Sequence, residues 1–175
     1  RGVPMRGGGL SPSSPVGAPF CFCPMAAAPC GNASPTTGCL NGVGTGALLT
    51  GSGSASVTLD NLVLTTSGMP AGSFAMAVLG TGTPPPAALA NGLRCVAGSI
   101  HRFPPYSTAG GTASIGRGTP NVSMGLVAYS TSSFSPSGHI TAGSTFHFQT
   151  FYRDLGGPCG AMFNLSNALT VNFTL

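Results

Sequence analysis

Glycine and proline interrupt this chain at a density that excludes most long regular elements. The 175 residues include 28 Gly and 16 Pro, a quarter of the total. Glycine in a helix costs backbone entropy, and proline removes an amide donor. Because 42% of the residues are still hydrophobic, the chain can bury a core if its apolar residues follow a short period. Short strands joined by many turns are therefore favoured over long helices.

Apolar and polar residues alternate with a period of two from residue 46 onward, which is the pattern of half-buried strands. The clearest alternation lies at 145–153 and at the end of the sequence, where Leu169, Val171, Phe173 and Leu175 share one face. Further strands are predicted at 54–59, 62–66, 74–80, 93–103, 111–115 and 122–130. This spacing predicts an all-β fold, an antiparallel β-sandwich of the jelly-roll or immunoglobulin-like kind or a barrel-like variant.

The chain divides into three predicted parts. Residues 1–20 are rich in Gly, Pro and Ser and predict an extended arm, residues 21–40 form a cysteine-rich segment, and residues 41–175 form the sandwich. The arm either lies on its own domain or is held by a neighbouring copy. Its apolar residues are the candidate assembly contacts: Val3, Met5, Leu10, Val16 and Phe20.

The six cysteines are expected to pair as disulfides, since their irregular spacing and the intervening prolines do not fit a zinc site. They are Cys21, Cys23, Cys30, Cys39, Cys95 and Cys159. We favour Cys30 with Cys39 and Cys95 with Cys159, which leaves Cys21 and Cys23 to pair with each other or with another chain. Stable disulfides indicate an oxidising compartment, so the protein is expected to be secreted, and attachment to the cell surface would be compatible with this.

Export would require a leader, and none precedes Arg1, so we expect that a leader has been removed. The longest clear apolar run, Phe74 to Leu79, is much shorter than the roughly 20 residues of a membrane-spanning helix. The protein is therefore not expected to span a membrane.

Charged residues are scarce, at 5% of the chain, and Lys and Glu are absent. The net charge of +4 comes from six scattered arginines against Asp60 and Asp154. Nucleic-acid binding needs a concentrated basic patch, so no nucleic-acid partner is predicted. A weakly charged surface provides little repulsion between copies, which favours a homo-oligomer or a polymer of identical subunits.

The sequence offers little for catalysis. Both aspartates lie in turn-like contexts, and a glycosidase would need two acids flanking a substrate. The histidines, at 101, 139 and 147, lack the context of a catalytic triad. Gly42–Ala47 loosely matches a dinucleotide fingerprint, but no predicted helix follows it. We therefore predict no enzyme activity, no cofactor and no metal site.

Tyr152, Arg153 and Asp154 form the best candidate ligand surface. Carbohydrate sites commonly combine an exposed aromatic ring with polar neighbours. The alternative is that Tyr152 packs in the core or on a sheet face.

Several short motifs in the chain recur together in one kind of module. They are Asn91 to Cys95 (NGLRC), Phe151 to Asp154 (FYRD), Pro158 to Gly160 (PCG) and Phe163 to Leu169 (FNLSNAL), together with Pro29 to Asn32 and Gly38-Cys39. This pattern resembles an uncharacterised β-rich module of large secreted proteins from planctomycete-like and myxobacterial-like bacteria. The resemblance spans about residues 29–173 and implies bacterial export, but it carries no activity.

Two functions follow from these features. The first is an extracellular structural subunit that assembles into a filament or surface layer through the arm or through strand-edge pairing. The second is a carbohydrate-binding or adhesion module, with an extracellular polysaccharide as its partner.

Overall fold

The computed structural model describes residues 14–175, which form an all-β sandwich. In chain order the strands are β1 (Ala18–Phe20), β2 (Leu48–Ser52), β3 (Val63–Ser67), β4 (Phe74–Gly80), β5 (Ala87–Leu89), β6 (Gly92–Arg94), β7 (His101–Arg102), β8 (Tyr106–Ser107), β9 (Ala113–Gly116), β10 (Thr145–Arg153) and β11 (Phe163–Asn172). One α-helix, α1 (Leu126–Ser133), and two 3₁₀ turns (Ala109–Gly111 and Pro136–Gly138) complete the described elements. None of these helices is long and apolar enough to cross a membrane.

Two antiparallel sheets make up the sandwich. The large sheet has the order β1-β11-β10-β4, and both β7 and β8 pair with β4. The small sheet has the order β2-β3-β9, and β5 and β6 form a separate hairpin. The inner core lies between the sheets, where Leu49, Leu64 and Ile115 of the small sheet meet Phe148 and Val171 of the large one.

A second, smaller core covers part of the opposite face of the large sheet. Val78 and Ala168 of that sheet pack there against Leu93, Val96 and the buried cystines. The cysteine-rich segment and the β5–β6 hairpin thus form an outer layer, and the large sheet has packed neighbours on both faces.

The cysteines all pair, but the preferred pairing was wrong. The disulfides join Cys21 to Cys95, Cys23 to Cys39 and Cys30 to Cys159. The local reason is that the backbone of Cys23 exchanges hydrogen bonds with Ser34 (3.0 and 2.7 Å), which folds the segment back and brings Cys39 to Cys23. Cys30 lies in the exposed turn of this fold-back, from which it reaches the loop after β10.

Most strand predictions are confirmed, and two are wrong. The predicted strands at 62–66, 74–80 and 145–153 match observed strands to within one residue, and the C-terminal alternation from Leu169 follows β11 as far as Asn172. The expected face is buried except at the exposed Leu175. The predictions at 93–103 and 111–115 are strands in part. Residues 54–59 instead form a turn, and 122–130 leads into α1. The helix begins here because the Asp60 carboxylate accepts hydrogen bonds from the amides of Val127 (2.9 Å) and Ala128 (3.0 Å).

The described part of the arm lies on its own domain. The amide of Val16 donates to the Gly51 carbonyl of β2 (2.9 Å), and β1, which includes Phe20, pairs with β11. Of the candidate assembly contacts, Val16 and Phe20 are therefore used within the chain. Val3, Met5 and Leu10 lie outside the described residues.

Candidate functional site

The predicted ligand surface at 152–154 is mostly buried. Tyr152 is 2% exposed and Asp154 is fully buried, and only Arg153 reaches solvent. The pattern that placed Arg153 outside necessarily turns its two neighbours inward, because side chains alternate along β10. The prediction of an exposed Tyr152–Arg153–Asp154 surface is therefore wrong, and Tyr152 is a core residue.

Asp154 instead organises a buried network of amides. One carboxylate oxygen accepts the amide of Gly42 (2.8 Å), and the other accepts the side-chain amides of Asn91 (3.0 Å) and Asn164 (3.3 Å). The Asn91 side chain also accepts the backbone amides of Cys159 and Ala161 (both 3.2 Å). These contacts join three distant loops, so the role of the carboxylate here is structural.

The Tyr152 hydroxyl lies at the inner end of the same region. The Asn41 side-chain amide donates to it at 3.4 Å. Burial raises the pKa of Tyr152 well above its ordinary value, and the nearby Asp154 carboxylate adds to the effect. The phenol is therefore neutral at physiological pH and cannot serve as a base there.

The three histidines take part in structural contacts. His101 packs on Phe134 with ring centroids 4.9 Å apart, and His139 contacts the Phe134 carbonyl at 3.1 Å. His147 contacts the Thr170 hydroxyl at 2.9 Å, and partial burial lowers its pKa. Within residues 14–175, no three His, Cys, Asp or Glu side chains are grouped as a metal site. Gly42–Ala47 leads into β2 and not into a helix.

An apolar surface concavity lies on the outer face of the large sheet, beside the outer layer. A cavity of about 420 Å³ is lined by apolar side chains of β4, β10, the β5–β6 hairpin and the loop after β6: Met76, Val78, Leu89, Val96, Ile100 and Phe151. A shallower cavity of about 410 Å³ continues from it over Phe74, Pro105 and Phe163, and it shares Met76 and Phe151. We call these two cavities together the groove.

The groove exists because the outer layer covers only part of the sheet. Gln149 marks the border, since its amide group donates to the Leu93 carbonyl (2.8 Å) and accepts the Cys95 amide (3.1 Å). One pleat further along β10, Phe151 has no such cover and stacks on the cross-strand ring of Phe163, 6.4 Å away. The floor of the groove is thus an apolar stretch of sheet that the fold buries only in part: Val78 is buried, whereas Met76 and Phe151 are half-buried.

Arginines surround this floor. Arg94 and Arg102 line the deeper cavity and Arg153 the shallower one, so the groove has three of the four arginines within residues 14–175. Arg102 lies opposite Val78 of β4, and the register of β10 places Arg153 opposite Phe74 of β4. Phe74 and Val78 are four residues apart, so the two arginines are separated by about 13 Å along the strand.

No acidic side chain is exposed beside these arginines, because Asp60 and Asp154 are the chain's only acidic residues and both are buried. Sequence reasoning missed the groove since its arginines come from three separate strands. The available signal was the outward alternation of Phe151 and Arg153.

Comparison with known proteins adds no relationship: no protein-family model, curated protein or solved structure matches the chain. The resemblance to the bacterial secreted module therefore stays a prediction.

Proposed function

We propose that this protein is a secreted, non-catalytic binding module that attaches to its partner through the groove. The observation that carries the proposal is the combination of an apolar floor with three arginines and no exposed carboxylate side chain. The three disulfides support the extracellular location, because they persist in oxidising compartments.

The surroundings of the groove select the kind of ligand. Phe, Met and Val side chains favour an apolar group, since burying apolar surface is the main favourable term of association. Guanidinium groups pair with carboxylates, phosphates or sulfates through two parallel hydrogen bonds. The ligand is therefore apolar along its length and negatively charged at an end.

A polysaccharide fits the groove less well. Sugar hydroxyls need hydrogen-bond partners, and the polar groups at the groove are chiefly the three guanidinium groups. The glycan-binding hypothesis can be tested on a glycan array, but Tyr152→Ala is not a suitable variant because it would remove a core side chain.

Self-assembly through strand edges receives little support from the described residues. β1 lies along β11, Val16 lies beside β2, and the Asn121 side chain donates to Ser114 at the edge of β9 (3.0 Å). Short covering segments of this kind protect sheet edges from pairing with other chains. Assembly through residues 1–13 stays a prediction. Deleting 1–13 tests it better than deleting 1–20, because β1 is kept.

The groove proposal is tested with three ligands that share a 12-carbon chain: dodecanoate, dodecyltrimethylammonium and dodecyl maltoside, each below its micelle concentration. Chemical shifts of the ¹⁵N-labelled protein should respond to dodecanoate at the amides of β4, β6, β7 and β10. The dissociation constant should be about tenfold lower for dodecanoate than for the cationic ligand, which corresponds to about 1.4 kcal/mol.

The variant Arg94→Gln/Arg102→Gln should raise the dodecanoate dissociation constant about tenfold, whereas Arg117→Gln should leave it unchanged. Arg117 is the matched control because it is exposed and lies after β9, away from the groove. Equal shifts with all three ligands, or shifts outside the groove, would contradict the proposal.

A further inference from the structure

We infer that the groove end of the sandwich docks on a lipid bilayer whose headgroups are anionic. This inference rests on the proposed function and names the source of its ligand. An acyl chain with a negative headgroup has the chemistry that the groove selects, and a bilayer presents many such chains at one surface.

The first observation is a concentration of exposed apolar side chains at one end of the molecule. Five large hydrophobic residues there are 38–63% exposed, and they belong to the loops and strand ends around the groove: Val43, Phe74, Leu155, Met162 and Phe163. We call this group the tip. Phe74 and Leu155 line a common hollow with Arg153, and Phe74 and Phe163 line the shallower cavity.

Hydrogen bonds hold the loops of the tip together. The Asp154 amide donates to the Met162 carbonyl (2.9 Å), which closes the loop that carries Leu155. The Asp154 carboxylate accepts the amide of Gly42, next to Val43. The Ser73 hydroxyl donates to the Arg153 carbonyl (3.1 Å), next to Phe74. The buried network therefore presents the apolar side chains in a fixed arrangement.

This arrangement fits the interface of a bilayer. Isolated exposed hydrophobic residues are normal on a protein surface, whereas a contiguous group marks an interaction site. Apolar side chains that project from separate loops can each enter the boundary between headgroups and acyl chains. A single folded partner would have to match all of these projections at once.

Charge complementarity selects anionic lipid over a second copy of this chain. Arg153 lies within the tip, and Arg94 and Arg102 lie along the adjoining groove. Arginines near an anionic leaflet each strengthen binding, and the effect decreases with salt. A second copy would offer no exposed carboxylate side chain to these arginines, because both aspartates are buried.

The test is co-sedimentation with sucrose-loaded vesicles of phosphatidylcholine, with or without phosphatidylglycerol. The full chain should bind the mixed vesicles at least about tenfold more tightly than the neutral ones, and added salt should weaken this binding. Phe74→Ser/Leu155→Ser should reduce binding to the mixed vesicles at least about tenfold. Arg153→Gln should reduce it about fivefold.

Two matched controls distinguish docking through the tip from nonspecific adsorption to vesicles, and measurements of folding exclude misfolded variants. Leu59→Ser/Met124→Ser removes two side chains of similar exposure, 54% and 51%, from the loops around α1. It should bind vesicles like the unmodified protein, as should Arg117→Gln. Circular dichroism and thermal unfolding should be the same for all variants, since every substituted side chain is exposed.

Each outcome bears on one of the two proposals. Absent vesicle binding with dodecanoate binding intact would overturn the bilayer inference and leave the proposed function in place. Absence of both vesicle binding and dodecanoate binding would overturn the bilayer inference and the proposed function. Equal binding to neutral vesicles, or an equal loss in the Leu59→Ser/Met124→Ser control, would also overturn the inference. A docking partner made of protein would be indicated if only dodecanoate bound.

Discussion

The two faces of the large sheet are held by different physical means. The inner face packs aromatic and aliphatic side chains against the small sheet. The outer face packs a few apolar residues around two cystines, and the Gln149 side chain bonds to the Leu93 carbonyl and the Cys95 amide of the outer layer. The contrast is clearest in β10, where Phe148 points to the inner core and Gln149 serves as the polar border of the outer one.

This difference shows how a thin layer can be fixed on a sheet with little apolar surface. Hydrophobic burial scales with area, so it suffices for the inner core. The outer layer has few strands, and several of its backbone groups, among them the amides of Cys95, Cys159 and Ala161, would be left unpaired without side-chain partners. Gln149, Asn91 and Asn164 supply these partners, and the disulfides restrict the unfolded state of the same segments.

Reduction of the disulfides should have the largest effect, and this effect should be confined to the outer layer. Without its cross-links the outer layer should open, because its small core cannot offset the ordering entropy of residues 21–47. Each disulfide contributes about 2–4 kcal/mol. Hydrogen exchange in a phosphine reductant should lose amide protection at residues 21–47 and 91–97, while β3 and β4 stay protected.

Variants that each lack one disulfide test the contributions of the individual cross-links. Cys30→Ser/Cys159→Ser removes a link across 129 residues, and Cys23→Ser/Cys39→Ser removes one across 16 residues. The first should cost more stability, since a longer loop regains more freedom when unfolded. A uniform loss of protection on both faces would mean that the two cores form one cooperative unit.

The next largest effect should come from Asp154→Asn. In either orientation the new amide nitrogen would face a donor, the Gly42 amide or the side-chain amides of Asn91 and Asn164, so that a buried donor would lose its partner. We expect a loss of about 3 kcal/mol in the free energy of unfolding, measured by urea denaturation.

Asp60→Asn is the matched control, because it changes the chain's other carboxylate. It should cost only about 1 kcal/mol, because the amide that would lose its acceptor, at the half-buried Val127 or the exposed Ala128, lies at a helix start that water can reach. Similar costs at the two positions would refute the special role assigned to the buried network.

Alkaline pH should lower the free energy of unfolding through a residue of the inner core, Tyr106. Burial raises the pKa of Tyr106 to about 12. Its unfolded pKa is about 10, so the unfolded state loses the proton first, and stability is lost as the pH rises from about 10 to 12. The expected loss from this residue is about 2 kcal/mol at the upper end.

Urea denaturation in a pH series checks the alkaline prediction, with Tyr106→Phe as the variant that lacks the titrating group. The slope of stability against pH should be smaller for Tyr106→Phe than for the unmodified protein. An unchanged slope would assign the alkaline loss to Tyr152, whose pKa burial also raises.

The sequence was informative wherever one face of a strand is buried. The alternation at 145–153 and at 169–173 correctly predicted which side chains line the inner core. No strand was predicted at 164–168, where every residue is buried because the outer layer covers the other face. Asn164 and Ser166 are among these buried residues, and only the fold supplies their hydrogen-bond partners.

The other errors have the same origin in long-range contacts. Helix α1 contains few strong helix signals, and its cap, Asp60, lies 66 residues before its first residue. The groove depends on arginines from β6, β7 and β10, which no local pattern brings together. The disulfide pairing depends on which loop each cysteine faces, and spacing alone does not determine it.

The pairing of β1 with β11 gives the domain a polarity. β11 runs from the tip at Phe163 to Asn172, about 30 Å away. β1 is antiparallel to it, so Val16 and Thr174 both lie at the end remote from the tip. A tether attached beyond either residue, whether a linker to another domain or a biosensor coupling, would hold the module by one pole and leave the apolar pole facing outward.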